Sequence, residues 1–296
     1  MTSGSDLSRL RAVGPPSDEL SNEPSDKQRF PLFVGQVLGG YRIEGKGGRG
    51  GFARVLRAQR LIDGEQVALK LLRYRHRGES RREAQLVREG EILSSLEHPR
   101  ILRCLEMGRA GPWSFLVLPW VEGYPLSRVL GKGPLEPQLA LDCAFQALEA
   151  LEHVHRRGIV HLDVKPDNLL LDQKRRCFLF DFGLALTREH RLAERAAGGV
   201  KRIVGSSSYR APEQETPGAV LSEKSDIYGF GVTLHRLLTA ELPQERTPRE
   251  DLASGLRALL SRCLDLDPQA RPSARELRQA LHELEAIFAS GERANG

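Results

Sequence analysis

The sequence predicts an α+β chain in two parts: a small strand-rich front with one main helix, then a larger helical region. Three observations carry this reading. Between Tyr41 and about Arg73, short apolar runs alternate with glycine-containing breaks. Beyond Gly123, apolar residues recur at helical spacing over long stretches. No internal repeat or low-complexity run interrupts residues 34–290.

The elements follow in order. Residues 1–33 mix Ser3, Ser5, Ser8, Ser17, Ser21 and Ser25 with Pro15, Pro16 and Pro24. They hold few large apolar side chains to offset ordering entropy, so a disordered N-terminal tail is expected. Tyr41–Glu44, Ala53–Ala58 and Gln66–Leu72 read as strands, with Asp63-Gly64 as the turn between the last two. Ser80–Leu96 reads as a helix opened by a capping box of Ser80 and Glu83, with Leu86, Ile92, Leu93 and Leu96 on its apolar face. Two further strands are expected over Ile101–Met107 and Ser114–Leu118. Pro137–His155 is a long helix through Leu141, Phe145 and Leu148, and Ser222–Thr239 is another. A second capping box, Ser273 with Glu276, opens a helix through Leu277, Leu281, Leu284 and Phe288. A short C-terminal tail, residues 291–296, ends the chain.

Composition narrows the function classes. The 296 residues carry 44 Lys plus Arg against 39 Asp plus Glu, a net charge of +5, which suits a phosphate-bearing partner. Aromatic content is 6% and no basic stripe is interleaved with aromatics, so no nucleic-acid partner is expected. Apolar runs such as Phe115–Leu118 are far too short for a membrane segment, and no signal peptide is apparent. Cys104, Cys143, Cys177 and Cys263 are scattered without a CxxC pair, which reads as reduced core thiols in a cytoplasmic protein.

Three motifs carry chemistry. Gly48-Arg49-Gly50-Gly51-Phe52-Ala53-Arg54-Val55 lies between two strands, where missing side chains let backbone N–H groups approach phosphate oxygens. Many glycine-rich stretches are only turns, but no helix follows, which disfavours a dinucleotide fold. Val67-Ala68-Leu69-Lys70 puts a lysine on a strand, where it is either a phosphate ligand or a surface cation. Its best partner is Glu89 on the next helix. Glu91, two residues on, faces about 200° away and should be solvated. His161-Leu162-Asp163-Val164-Lys165-Pro166-Asp167-Asn168 precedes an apolar run, and thirteen residues after Asn168 comes Asp181-Phe182-Gly183. Oxygen donors at two such termini suit Mg²⁺. His153, His155 and His161 lack any zinc pattern and read as bracing histidines.

Taken together, these motifs resemble a eukaryotic-type (Hanks-type) protein Ser/Thr kinase of the kind also found in bacteria. The likeness covers residues 37–288 and continues through Ala211-Pro212-Glu213, Ser225-Asp226-Ile227-Tyr228-Gly229-Phe230-Gly231 and Asp267-Pro268-Gln269-Ala270-Arg271-Pro272. The resemblance implies a bilobal protein-kinase-like fold: a catalytic domain over 34–290, with an N-lobe at about 37–118, a hinge at 119–123 and a C-lobe at about 124–290. ATP would lie between the lobes. Val55, Ala68 and Leu170 would sandwich the adenine, Leu118 would be the gatekeeper, and the Pro119 carbonyl and Val121 amide would meet the base. Gly48 and Gly50 would line the phosphates, Lys70 would hold them, and Glu89 would orient Lys70. Asn168 and Asp181 would bind Mg²⁺. Asp163 would accept the proton of a Ser/Thr hydroxyl on a protein substrate, and Lys165 would steady the phosphoryl group. Glu213 and Arg271 resemble the family's buried ion pair, and Asp226 is assigned to structure.

Three departures stand out. Leu162 occupies a position where many family members have an Arg that pairs with a loop phosphate, and leucine offers neither charge nor donors. Gly198–Val204 contains no Ser, Thr or Tyr but does hold Lys201 and Arg202. Both point to activity that does not depend on the usual loop phosphorylation, with Ser206, Ser207 and Ser208 left as modifiable residues. The substrate-docking helix expected around Leu242–Thr247 is reduced, and the loop from Asp181 to Glu213 is long and basic. Two rivals stay open: a pseudokinase that binds nucleotide without transfer, and a small-molecule phosphotransferase of the aminoglycoside or choline type. The Ala211-Pro212-Glu213 string, which resembles the protein-substrate platform, argues against the second.

Overall fold

A computed structural model describes residues 32–49, 53–73, 76, 79–196, 207–243 and 254–294. The chain divides into two compact units, one formed by the chain up to Gly90 with Cys104–Trp120, the other by Glu91–Arg103 with the chain from Val121 onward.

In the first unit, β1 (Val37–Leu38), β2 (Tyr41–Arg49), β3 (Ala53–Arg60), β4 (Gln66–Leu72), β5 (Glu106–Ala110) and β6 (Trp113–Pro119) form one antiparallel sheet in the order β1-β2-β3-β4-β6-β5. Strand alternation sorts its side chains. Val67, Leu69 and Leu71 of β4 join Trp113, Phe115 and Val117 of β6 in a cluster with Tyr41, Ile43, Leu56 and Ala58. Burying each such side chain contributes about 1.5–3 kcal/mol. Lys70 lies on the opposite face. The β3–β4 connection is longer than a two-residue turn: Gly64 adopts φ +76° and the Arg60 amide bonds to the Glu65 carbonyl.

Helix α1 (Ser80–Ser95) carries Leu86, Ile92 and Leu93 as buried residues. Its cap differs from the sequence expectation. The Glu83 amide bonds to the Glu79 carbonyl, so the helix opens one residue earlier and Ser80 already lies inside it. Gly90 is required by packing. A Cβ there would meet Met107 Sδ at 2.4 Å and Leu116 Cδ2 at 2.7 Å.

The expected strand over Ile101–Met107 does not form as one piece. Ile101 makes a single parallel bridge to Leu179, the Leu102 amide bonds to the Leu179 carbonyl, and β5 begins only at Glu106. The apolar run reflects burial rather than a place in the first sheet, because Ile101, Leu102 and Cys104 are all covered.

The second unit holds α2 (Leu126–Leu130), α3 (Pro137–Arg156), α4 (Arg188–Ala196), α5 (Pro212–Glu215), α6 (Glu223–Thr239), α7 (Ser254–Cys263) and α8 (Ala274–Ala294). A small antiparallel sheet runs β7 (Gly123–Pro125), β8 (Leu169–Asp172), β9 (Cys177–Leu179). Helix α3 buries Leu139, Leu141, Ala144, Leu148, Leu151 and Val154 and packs on α6 and α8. Pro137 is its first residue, and Glu136 caps it through the Gln138 and Leu139 amides. Ser222 caps α6. Ser273 and Glu276 form the reciprocal box of α8, the Ser273 amide donating at 2.7 Å and the Glu276 amide at 3.2 Å.

Other expectations shift. Leu32, placed in the tail, packs against the first sheet's apolar cluster. Helix α8 extends to Ala294, into the expected C-terminal tail. The basic stretch after Asp181 is partly helical, as α4: Thr187 Oγ1 accepts the His190 amide and the Thr187 carbonyl accepts the Arg191 amide. Residues 1–31, Gly50, Gly198–Val204, Ser206 and residues 244–253 lie outside the described residues, and with them most of the Leu242–Thr247 segment. All four cysteines are buried thiols, none of them in a disulfide. Among the described residues no helix is long and apolar enough to cross a membrane.

Candidate active site

Each unit assembles part of the predicted site. In the first, the register pairs Val55 with Lys70, Lys70 with Leu116 and Ala68 with Leu118. Directly paired residues share a face, and so do residues two apart, so Val55, Ala68, Lys70 and Leu118 lie on one side of the sheet. Gly48 pairs with Val55. A Cβ on Gly48 would meet nothing within 4 Å, so the protein's own packing does not demand glycine there. Pro119 ends β6 opposite Val67.

Lys70 is buried, and its Nζ donates to Glu89 Oε1 at 2.5 Å. Glu89 is 3% exposed whereas Glu91 is on the solvent side of α1, as the helical angle between them requires. A lysine and a glutamate taken from water this fully are costly unless paired.

The second unit gathers the other polar residues. Lys165 Nζ donates to Asp163 Oδ2 at 2.7 Å, and Asn168 Nδ2 donates to the same oxygen and to the Asp163 carbonyl, both at 2.8 Å. Burial raises the Asp163 carboxyl above the ordinary aspartate range, and the Lys165 ammonium opposes that shift. With its Nδ2 committed to Asp163, Asn168 presents its amide oxygen the other way. The Phe180 amide bonds to the Asn168 carbonyl, which ties β9's exit, and hence Asp181, to this turn. Asp181 adopts φ +64°, and its Oδ1 accepts the Gly183 amide at 3.4 Å. A side-chain amide oxygen and a carboxylate are hard donors of the kind Mg²⁺ takes. Leu170 is half-buried on β8, opposite Pro125 and Phe178. Val121 is half-buried where the second unit begins again.

Helix α6 pins the turn that carries Asp163. Asp226 Oδ2 accepts the His161 amide at 2.8 Å, and its Oδ1 accepts the Leu162 amide at 2.7 Å. His155 Nε2 also meets Asp226 Oδ2, at 2.8 Å. Thr233 Oγ1 donates to the Val164 carbonyl at 3.3 Å. A Cβ on Gly229 would stand 3.0 Å from the Val164 carbonyl oxygen. Sequence reasoning quotes Gly229 only as part of its motif and misses Thr233, although with Asp226 they mark positions i, i+3 and i+7 of one helical stripe. His161 is fully buried. Its Nδ1 accepts the Asp163 amide, its Nε2 donates to the Phe180 carbonyl at 3.3 Å, and its ring meets Phe182 edge-on. His98 and His153 stack at 4.9 Å, and no group of three metal-ligating side chains occurs among the described residues.

Leu162 adopts φ +64°, and its side chain packs with Val160, Leu186 and Leu221. Val160 and Leu186 exchange both backbone hydrogen bonds, at 2.9 and 3.0 Å. Farther out, Arg271 is paired with Glu213 at 2.7 and 3.0 Å.

The family model of the protein kinase domain matches residues 41–282. The chain belongs to the protein kinase family. It is 33% identical over 285 residues to the serine/threonine-protein kinase pkn2 of Myxococcus xanthus, covering 86% of this chain and 34% of that protein. It is 34% identical to the serine/threonine-protein kinase PrkC of Bacillus subtilis, covering 72% of this chain and 32% of that one. To the DNA damage-responsive serine/threonine-protein kinase RqkA of Deinococcus radiodurans it is 39% identical, over 72% of this chain and 32% of that protein. The chain thus spans about a third of the length of these curated relatives. The crystal structure of the Mycobacterium tuberculosis PknI kinase domain superposes with a TM-score of 0.69 at 26% identity, covering 86% of this chain and 99% of that one. This kinase domain is therefore of the bacterial Hanks type, with the strand-rich and helical parts its sequence predicted.

Proposed function

We propose that this kinase domain transfers the γ-phosphoryl group of Mg-ATP to Ser or Thr hydroxyls of a protein substrate. The observation that carries the reading is the half-buried Asp163 carboxylate held by both Lys165 and Asn168. A carboxylate fixed by two donors on one oxygen keeps its other oxygen aimed, which a base for a substrate hydroxyl needs. Asp163 takes the hydroxyl proton. Lys165 places its positive charge beside the transferring group. Lys70, oriented by Glu89, would hold the α- and β-phosphates, with Gly48 and Gly50 of the glycine-rich stretch as further phosphate-binding residues. Val55, Ala68 and Leu118 of the first unit and Leu170 of the second are assigned to the adenine, and the Pro119 carbonyl and Val121 amide would serve its edge. Asn168 and Asp181 would hold Mg²⁺, which when bound would supply positive charge to the phosphate oxygens. We place the core of the domain at residues 34–290, flanked by the Leu32 contact and the end of α8, and the protein in the cytoplasm, in keeping with its buried thiols.

Activity on this reading does not need loop phosphorylation. Leu162 is buried among Val160, Leu186 and Leu221, so apolar contact does the ordering that an Arg–phosphate pair does elsewhere. The test is radiolabelled phosphate transfer to dephosphorylated casein by wild type, Asp163→Ala and Lys70→Met, each checked for an unchanged melting curve. Wild-type transfer and loss of at least a hundredfold in both variants is expected. Nucleotide binding without transfer by wild type refutes it and leaves a pseudokinase. Loss of all activity on phosphatase treatment refutes the phosphorylation-independent part alone.

A further inference from the structure

Gln214 belongs to none of the roles assigned so far, yet it is buried and both ends of its side-chain amide are used. The Ala211 amide donates to Gln214 Oε1 at 3.0 Å, and Gln214 Nε2 donates to the Leu162 carbonyl at 3.0 Å. This order is fixed by chemistry. Flipping the amide would set donor against donor at Ala211 and acceptor against acceptor at Leu162. One side chain thus joins the first residue of the Ala211-Pro212-Glu213 string to the peptide unit that leads into Asp163. Leu162 is the residue where that peptide needs holding, because it sits at φ +64°, where a side chain is disfavoured. Its amide is secured by Asp226, and its carbonyl receives Gln214.

We propose that Gln214 is a positioning residue for phosphoryl transfer: it sets the register of the substrate-platform segment against the catalytic loop through the Leu162 carbonyl. This rests on the kinase reading above and adds to it a residue that acts through Leu162 rather than on substrate. Two substitutions separate its two bonds. Gln214→Glu keeps an acceptor for the Ala211 amide but, when ionised, has no proton for the Leu162 carbonyl. When protonated it restores both bonds. Gln214→Met keeps the volume and loses both.

The experiment measures kcat and KM for casein phosphorylation from pH 6 to pH 9 on the full chain, with hydrogen exchange of the 160–164 segment alongside. Relative to wild type, kcat of Gln214→Glu should be at least tenfold lower at pH 9, where its carboxylate is ionised, with KM for ATP within twofold. For Gln214→Met the ratio should be low and flat, and exchange at Leu162 and Asp163 should quicken at least tenfold. A wild-type kcat in Gln214→Glu at pH 9 overturns the proposal even if wild type is fully active, because the ionised glutamate keeps the volume and the Ala211 bond and lacks only the proton for the Leu162 carbonyl. If wild type transfers no phosphate, the kinase reading fails, and exchange decides the rest. Faster exchange in Gln214→Met would support the Leu162 link, and unchanged exchange would overturn it.

Discussion

Removing the Glu213 carboxylate should be among the most destabilising single changes in the helical unit. The Arg271 side chain is fully buried, and Glu213's is 8% exposed. Their bonds are bidentate, at 2.7 and 3.0 Å, and Arg271 also donates to the carbonyls of Asp265 and Lys224, at 2.8 and 2.9 Å. Glu213→Ala leaves the guanidinium with those carbonyls but no countercharge, and strands the Ser225 hydroxyl that donates to Glu213 Oε1. Breaking a buried pair from one side costs about 3–5 kcal/mol. Against a total stability of about 5–15 kcal/mol, that is about a fifth or more. At a urea m-value of about 2 kcal/mol/M, the midpoint should fall by about 1.5–2.5 M. The assay is urea unfolding of wild type, Glu213→Ala, Arg271→Met and the double variant. The double variant should be less destabilised than the sum of the singles by at least about 1 kcal/mol, since it leaves no buried charge unmatched. Single-variant losses below about 1 kcal/mol, or an additive double variant, would show that the pair is not a coupled buried ion pair.

Three further outcomes follow from named contacts. Because burial raises the Asp163 carboxyl and Lys165 opposes it, transfer should fade in acid above the ordinary aspartate range, and Lys165→Met should move that fall to still higher pH; an unmoved acid limb in kcat–pH profiles would contradict the assignment. Ser273→Ala should cost about 1 kcal/mol at neutral pH in thermal melts. Hydrogen bonds from the Ser273 amide and hydroxyl hold Glu276 below its ordinary value, so its contribution is present above the unfolded carboxylate range and is lost as pH falls through the folded one, and the penalty should shrink in acid. Leu162→Met should keep most of the transfer rate while Leu162→Arg loses at least tenfold, because the cluster with Val160, Leu186 and Leu221 offers a charge no partner; equal rates in a casein assay would refute that.

Much of the fold is legible in the sequence because it depends on local periodicity. Gln66–Leu72 is read to its ends because a polar start followed by apolar residues broken only by Lys70 fits a buried strand and is too short for a helix. The choice of Glu89 over Glu91 needs only the angle between helix positions. What stays hidden depends on partners far away in the chain. The Ile101–Cys104 run announces burial correctly, but periodicity cannot say that Leu179 rather than the first sheet pairs with its start. Helix α4 has almost no apolar residues, so its pattern reads as a charged loop, and only Thr187 ahead of an acidic first turn hints at a start. Gln214 gives no signal, because a glutamine that spans two backbone groups looks like any other glutamine.

The departure at Leu162 is reconciled by the same long-range contacts. A residue at φ +64° costs on the order of 1–2 kcal/mol for any side chain but glycine. Arg and Leu are affected alike, so the family's usual residue would gain no backbone advantage there. What fixes the conformation is the two amides held by Asp226, at 2.7 and 2.8 Å, and the carbonyl held by Gln214. Hydrogen bonds to a charged group contribute about 1.5–3 kcal/mol each, enough to exceed the strain. The backbone direction in which the chain enters Asp163 is therefore set by α6 and α5, provided that the side chain at 162 fits among Val160, Leu186 and Leu221. That leaves position 162 able to exchange a phosphate-sensing charge for an apolar contact with Leu186 and Leu221 while the catalytic geometry stays in place.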